Sequence, residues 1–418
     1  MVRRGSAHQT GLSGSNVCIT LTGHAFPTAS QRSKIIYLPI DGVTMNAEVT
    51  AFFAEHVSKF TQALEDFDRQ IDPESLPSSD LIVDDLTKCI NDSLRVCAQL
   101  EEQLQAEDPI VLKEVQRRYR EAIWPWFGKS WCMQRALTKP RGYPGDAVLL
   151  TTIYDGIAKS RGLGGYLDRY FLSTTLGRAV PARMWEARRF LMEELARRTG
   201  QVTVMDVACG SCREYLGGFD PSPDRQTMFI CVDNDPETLE FAKSETETAL
   251  EKSGISAKFV RYNALRMVSS AANIRRFGRS DVIYSVGLCD YIPDEYLIPL
   301  LQGLRESLNP GGVVYIAFKD MLLYDKAEYQ WLADWFFFQR TEEDCRRLFA
   351  SAGYDLSEMT VTRDPIGVIM NFLYRDKVGA TVRVDQPEQL PAAQRLDQAA
   401  QPGAGVASSL ADHITSAG

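Results

Sequence analysis

The sequence predicts an α/β chain, a mostly parallel sheet wrapped by helices, preceded by an all-helical region. Three observations carry this. Apolar residues recur at helical spacing from about residue 45 to about 185. From about 202, short β-rich runs alternate with amphipathic ones, the grammar of strand–helix–strand units. The last two β-rich runs are joined only by "DPIG", which suits an antiparallel hairpin at the sheet edge.

Taken in order, residues 1–44 read as a flexible N-terminal extension in which "VCITLTG" and "KIIYLPI" are short strand candidates. Residues 1–40 hold no Asp or Glu, a weak likeness to a transit peptide, but the extension reading is preferred. Val49, Phe53, Val57, Phe60, Leu64 and Phe67 then mark one helix face. Leu86, Ile90, Leu94 and Leu104 mark a second, after the breaker "IDPESLPSSD". Helical sequence continues through "VLKEVQRRYREAIWPWF". The strand candidates are "VTVMDVA", "TMFICVD", "AKFVRY", "SDVIYSVG" and "GVVYIAF". "TEEDCRRLFASAG" opens with a capping-box pattern and closes on Gly353. The Ala-, Gln- and Pro-rich segment 380–418 reads as a disordered tail. The predicted units are thus 1–44, a helical substrate or cap domain over 45–185, an α/β domain over 186–379, and the tail.

The totals exclude several classes. With 418 residues the chain is long enough for two domains. A net charge of -9 argues against a broad nucleic-acid face, and no run is long and apolar enough to span a bilayer. Nine scattered cysteines fit reduced thiols in a cytoplasm rather than a disulfide framework. The expected partner is a small molecule; nothing in the sequence sets an oligomeric state.

"VMDVACGSCREYLGGFD" (204–220) is the decisive stretch. Its Cys209-x-x-Cys212 pair reads either as a redox dithiol, as half of a zinc site, or as filler in a cofactor turn. No second pair at that spacing exists and there are four histidines, so no metal is assigned. The cofactor reading explains more. Apolar "VTVM" is a buried strand, Asp206 sits at its end, and Ala208 and Gly210 make a turn that lets a ligand approach the backbone. "REYLGGF" is expected to open a helix aimed at that ligand. Asp233 ends the second strand, where an acid accepts both ribose hydroxyls. Asn263 ends the third, suited to an adenine edge. Ala208 and Cys212 stand where glycines would serve close approach to a pyrophosphate, so a nucleoside with an amino-acid tail is favoured over a dinucleotide.

Together "VMDVACGSC", "ICVDND", "RYNA", "DVIYSVGLCDYIPDE" and "LNPGGVVYIAF" resemble class I S-adenosylmethionine-dependent methyltransferases over about residues 200–378. The resemblance implies a Rossmann-like sheet with an antiparallel last strand, S-adenosylmethionine as cofactor, and a transferase activity. It places Asp206, Ala208 and Gly210 at the methionine end, Asp233 at the ribose and Asn263 at the adenine. Val286 and Gly287 form the floor, and Cys209, Asn234 and Ala264 lie beside them. Arg183 is expected either to meet the cofactor's carboxylate or to sit on a solvated helix face.

"ALTKPRGYPGDAVLL", with its stiff Pro/Gly spacing, projects Arg141, Tyr143 and Asp146. Around it the chain is similar to bacterial methyltransferases that make 3-hydroxypalmitic acid methyl ester. That resemblance implies methyl transfer to a fatty-acid carboxylate, with Arg141 clamping it, Tyr143 donating to it and Asp146 orienting Arg141. For a hydroxyl or amine acceptor, Asp290 or Tyr291 are the base candidates. A degenerate binding module without chemistry is the competing class. The aromatic run "QWLADWFFFQR" (330–340) reads as core between the domains, or else as an acyl pocket.

Overall fold

The structure, a computed structural model, describes residues 47–78, 81–107 and 109–377. The extension predicted over 1–44 and the tail predicted over 380–418 lie outside the described residues.

The helical layer begins with α1 (Ala47–Ala51), which passes through a π turn (Phe52–Val57) into α2 (Ser58–Gln70). It continues with α3 (Leu81–Glu107), α4 (Pro109–Phe127), α5 (Trp131–Thr138), α6 (Ala147–Asp155), α7 (Gly162–Ser173) and α8 (Thr175–Ala196). The predicted apolar faces are the ones buried: Val49, Phe53, Val57, Phe60 and Leu64 on the first helix, Leu86, Ile90, Leu94 and Leu104 on α3. α8 runs unbroken across the boundary expected at 185/186, so it ties the layers together as one rod.

The sheet contains β1 (Gly200–Val207), β2 (Arg225–Asp233), β3 (Ile255–Arg261), β4 (Ser280–Ser285), β5 (Leu308–Lys319), β6 (Met359–Arg363) and β7 (Ile369–Arg375). Its order is β3-β2-β1-β4-β5-β7-β6, with the first five parallel and β7 antiparallel to both β5 and β6. This is the mostly parallel, Rossmann-like sheet with an antiparallel strand near its far edge that the sequence predicts. α9 (Pro236–Lys252), α10 (Ser270–Phe277), α11 (Asp294–Glu306) and α13 (Glu342–Ser351) flank it, while α12 (Ala327–Ala333) packs back on the helical layer. The order reverses between β1 and β4, and ligands of open parallel sheets settle outside the carboxyl ends of strands at such a switch.

One expectation is corrected and another is divided. "REYLGGF" makes only a 3₁₀ turn, Arg213–Tyr215, because Gly217 and Gly218 (φ 64°) and then the prolines of "DPSPD" stop a helix. α8 covers that turn instead, its Arg188 donating to the carbonyls of Glu214 (2.7 Å) and Gly218 (2.7 Å). The aromatic run divides between its two readings. Trp331 of α12 is fully buried in the helical core, edge-on to Tyr119 at 5.4 Å, with its indole N–H donating to Glu101 at 2.7 Å. Trp335 and Phe337 line a cavity.

Candidate functional site

That cavity, of about 450 Å³, lies at the carboxyl ends of β1, β2, β4 and β5. The loop Lys139–Asp146 of the helical layer forms another part of its wall.

The turn after β1 takes three left-handed steps, at Ala208 (φ 59°), Gly210 (φ 56°) and Cys212 (φ 49°). A side chain costs roughly 1–2 kcal/mol in that region, so glycine is the easy choice. At Gly210 a Cβ would meet nothing within 4 Å, because it would project into open cavity. The turn is pinned to β2: Cys209 N–H donates to the Val232 carbonyl (3.0 Å) and Gly210 N–H to Asp233 Oδ2 (3.1 Å). Asp233 Oδ1 accepts from Asp235 N–H at 3.0 Å. Burial raises the Asp233 pKa, partly offset by these backbone donors. Asn234, Asn263, Ala264 and Gly287 line the same end. Asn263 Oδ1 accepts from Leu265 N–H (2.9 Å), which fixes the side chain at the lip of β3.

Asp206 lies one layer below its expected place. It is 2% exposed and does not line the cavity. Its Oδ2 accepts from the hydroxyls of Tyr215 (2.9 Å) and Tyr284 (2.7 Å), which seal it off. Burial, and then the nearby Glu214 carboxylate, drive its pKa well up. Cys209 and Val286 also sit behind the wall rather than in it. Ligand atoms of Asp206, Cys209 and Cys212 fall within 4.8 Å of one another. The carboxylate is already taken by two hydroxyls, however, and burial pushes the Cys212 thiol far up, so the thiols act as filler.

The projecting loop is fastened on both sides, which corrects the roles expected of it. Arg141 does not present a free fork. It donates to Asp235 and to Thr238 Oγ1 (3.0 Å), and pairs with Glu237 at 3.1 Å. Lys139 pairs with Asp334 at 2.6 Å. Asp146 does not orient Arg141; it caps α6 through the N–H groups of Val148 and Leu149 and pairs with Arg135 at 2.8 Å. At Gly145 (φ 72°) a Cβ would stand 2.4 Å from the Trp335 ring, so only glycine lets the loop close on that indole. Tyr143 lines the cavity, and burial raises its pKa.

Arg183 is buried, not solvated: it is 4% exposed, lines the cavity, and its Nε has no hydrogen-bond partner among the described residues. At the opposite end Tyr291, Trp335 and Phe337 form an aromatic wall, with Trp335 Nε1 donating to the Tyr291 hydroxyl at 2.9 Å. Neither base candidate is free to act. Asp290 is 1% exposed and ion-paired with Lys319. Burial holds Tyr291 protonated. Lys319 was not singled out from the sequence. Its signal was there: a lone lysine closing the otherwise apolar strand "VVYIAFK".

No protein-family model matches the chain, and no curated protein does. Among solved structures, it is similar to a possible exported protein from Bordetella parapertussis at 18% identity, covering 80% of this chain and 100% of that one, TM-score 0.46. It is similar to a CurJ carbon methyltransferase at 10% identity, covering 79% and 98%, TM-score 0.39. The magnesium protoporphyrin IX methyltransferase of Synechocystis PCC 6803 with bound SAH follows at 11% identity, covering 48% and 87%, TM-score 0.36.

Proposed function

We propose that the protein is an S-adenosylmethionine-dependent methyltransferase acting on the carboxylate of a small-molecule acceptor. The observation that carries this is the division of one cavity. Gly210, Asp233 and Asn263 stand at the ends of β1 to β3, while an aromatic wall with a buried lysine stands at the end of β5. The residues fit the cofactor: the open space at Gly210 admits a ligand to the backbone, Asp233 offers a carboxylate for a sugar diol, and the buried guanidinium of Arg183 in the wall suits an amino-acid carboxylate. When bound, S-adenosylmethionine supplies an electrophilic methyl group.

The protein's own contribution is positioning and exclusion of water. A carboxylate acceptor arrives charged, so no proton has to be removed. That agrees with a site whose nearest base candidates are ion-paired or locked by burial. The tethered loop at Arg141 closes the wall over both halves. A fatty carboxylate, the acceptor implied by the sequence resemblance, suits the apolar lining of Leu150, Phe171, Leu176 and Val180. Two measurements test the reading. Calorimetry should detect S-adenosylhomocysteine binding. Methyl-labelled cofactor with a cell extract should label a small acid as its methyl ester; label in a base-stable amine or ether instead would refute the carboxylate.

A further inference from the structure

The cavity has a cation that the cofactor half does not use. Lys319 is 5% exposed and lines the wall. Among the described residues its ammonium has one hydrogen-bond partner, the Asp290 carboxylate. An ammonium carries three donors, so two have no protein acceptor among the described residues, on a side chain that lines a space from which an entering ligand expels water. The faces of Phe337 and Tyr291 stand 4.2 and 5.5 Å from Nζ. Those rings attract the cation but do not replace an oxygen acceptor.

The cavity is also polarised. Its lining acids, Asp233, Asp235 and Glu237, all belong to the end of β2 and the start of α9. β1 and β4 separate β2 from β5, which sets Lys319 about 14 Å away across the sheet. Around Lys319 the wall is Tyr291, Tyr329, Trp335 and Phe337, with no carboxylate lining it. Asp290 lies behind, accepting from the Lys319 ammonium and, at 3.1 Å, from its backbone N–H. It holds the lysine from the rear and leaves the cavity side open. Burial disfavours the charge on Lys319, Asp290 favours it, and the Arg183 charge adds to the disfavour, so a ligand anion at Lys319 adds to the support that Asp290 gives.

We infer that Lys319 is the seat of the acceptor's negative charge, with Asp290 as its positioning residue, and that the ligand class is a monoanionic carboxylate with an apolar body packed on Trp335, Phe337 and Tyr291. This rests on the proposed carboxylate acceptor and adds the residue that selects it. On this assignment the product is released because the ester has no charge and loses its seat.

The test uses the full chain without cofactor, titrated by calorimetry with octanoate and with octanamide, its neutral counterpart. Octanoate should bind at least ~10-fold tighter, as a charge-assisted contact requires. Lys319→Met alone strands a buried carboxylate and endangers the fold. The informative variant is therefore the double change Lys319→Met with Asp290→Asn, whose folding is certified by retained S-adenosylhomocysteine binding. In it the preference for octanoate should vanish, and in Lys319→Arg part of it should survive. Equal binding of the two probes by the wild-type protein, or a preference that persists in the double variant, overturns the assignment. Failure of wild-type protein to bind S-adenosylhomocysteine while the octanoate preference holds sinks the proposed function alone.

Discussion

Arg141 of the helical layer donates to the carboxylate of Asp235, which itself caps α9 by accepting from Glu237 N–H at 3.0 Å. The stiff loop is thereby fastened to the sheet layer beside Asp233. The pair is about four-fifths buried on each side, and Asp235 raises the Arg141 pKa even though burial alone would lower it. Arg141→Met should free the loop. Amide exchange over 140–146 should quicken, and S-adenosylhomocysteine affinity should fall about tenfold, the size of one lost charge-assisted bond. Arg141→Lys keeps the charge but not the fork, and should restore part of the loss. Unchanged exchange and affinity in Arg141→Met would mean the tether is incidental.

Gly210 and Gly200 form a matched pair. Both have left-handed φ, 56° and 72°, and a Cβ at either would meet nothing within 4 Å. Alanine should cost each about 1 kcal/mol of stability through backbone strain alone. Only Gly210 borders the cavity. Gly210→Ala should therefore also lower S-adenosylhomocysteine affinity at least ~10-fold, because the methyl takes space the ligand approaches through. Gly200→Ala should leave that affinity alone. Equal affinities for the two variants would place the ligand elsewhere.

Much of this site's geometry was legible because the half proposed for the cofactor is local in sequence. Asp233 ends a strand, and Gly210 and Asn263 follow within three residues of strands that their own apolar runs announce; strand order brings the three together. What escaped depends on contacts between distant segments. Asp206 looks like a ligand until Tyr284 and Tyr215 are seen to cover it, from 78 and 9 residues away. Arg141 looks like a free clamp until Asp235, 94 residues on, takes it. The expected helix after the turn fails for a local reason, the Gly217–Gly218 pair, which is itself visible in the sequence. Lys319 was hidden by its company, since one charge at the end of an apolar strand reads as a strand terminus.

Asp233 sets a pH dependence for the ligand. Burial raises its carboxyl pKa above the usual value. The ionised form can accept from both hydroxyls of a sugar diol, whereas the protonated form loses acceptor capacity. Affinity for S-adenosylhomocysteine should be full at pH 8 and fall as pH drops through that raised pKa. In Asp233→Asn it should be weak and flat across the same range. A wild-type affinity that does not change down to pH 5, while the protein stays folded, counts against a ribose contact at this carboxylate.

Glu328, on α12, should make the protein less stable as pH rises. Burial lifts its pKa from 4.5 to about 7, opposed by a hydrogen bond to Tyr329, and Oε2 has no partner among the described residues. The folded-state pKa lies above the unfolded one, so between these values the folded chain holds the extra proton and stability falls with increasing pH. The loss is complete above about 7 and absent below about 4.5. Glu328→Gln mimics the protonated side chain at every pH. It should match the wild-type protein near pH 4.5 and exceed it at pH 8 by up to roughly 3 kcal/mol, the shift converted at 1.36 kcal/mol per unit. Denaturant melts of both proteins at pH 5, 6.5 and 8 measure this directly. Parallel curves would show that the carboxylate finds a counter-charge or water in the folded protein, and the destabilisation assigned to α12 would then be absent.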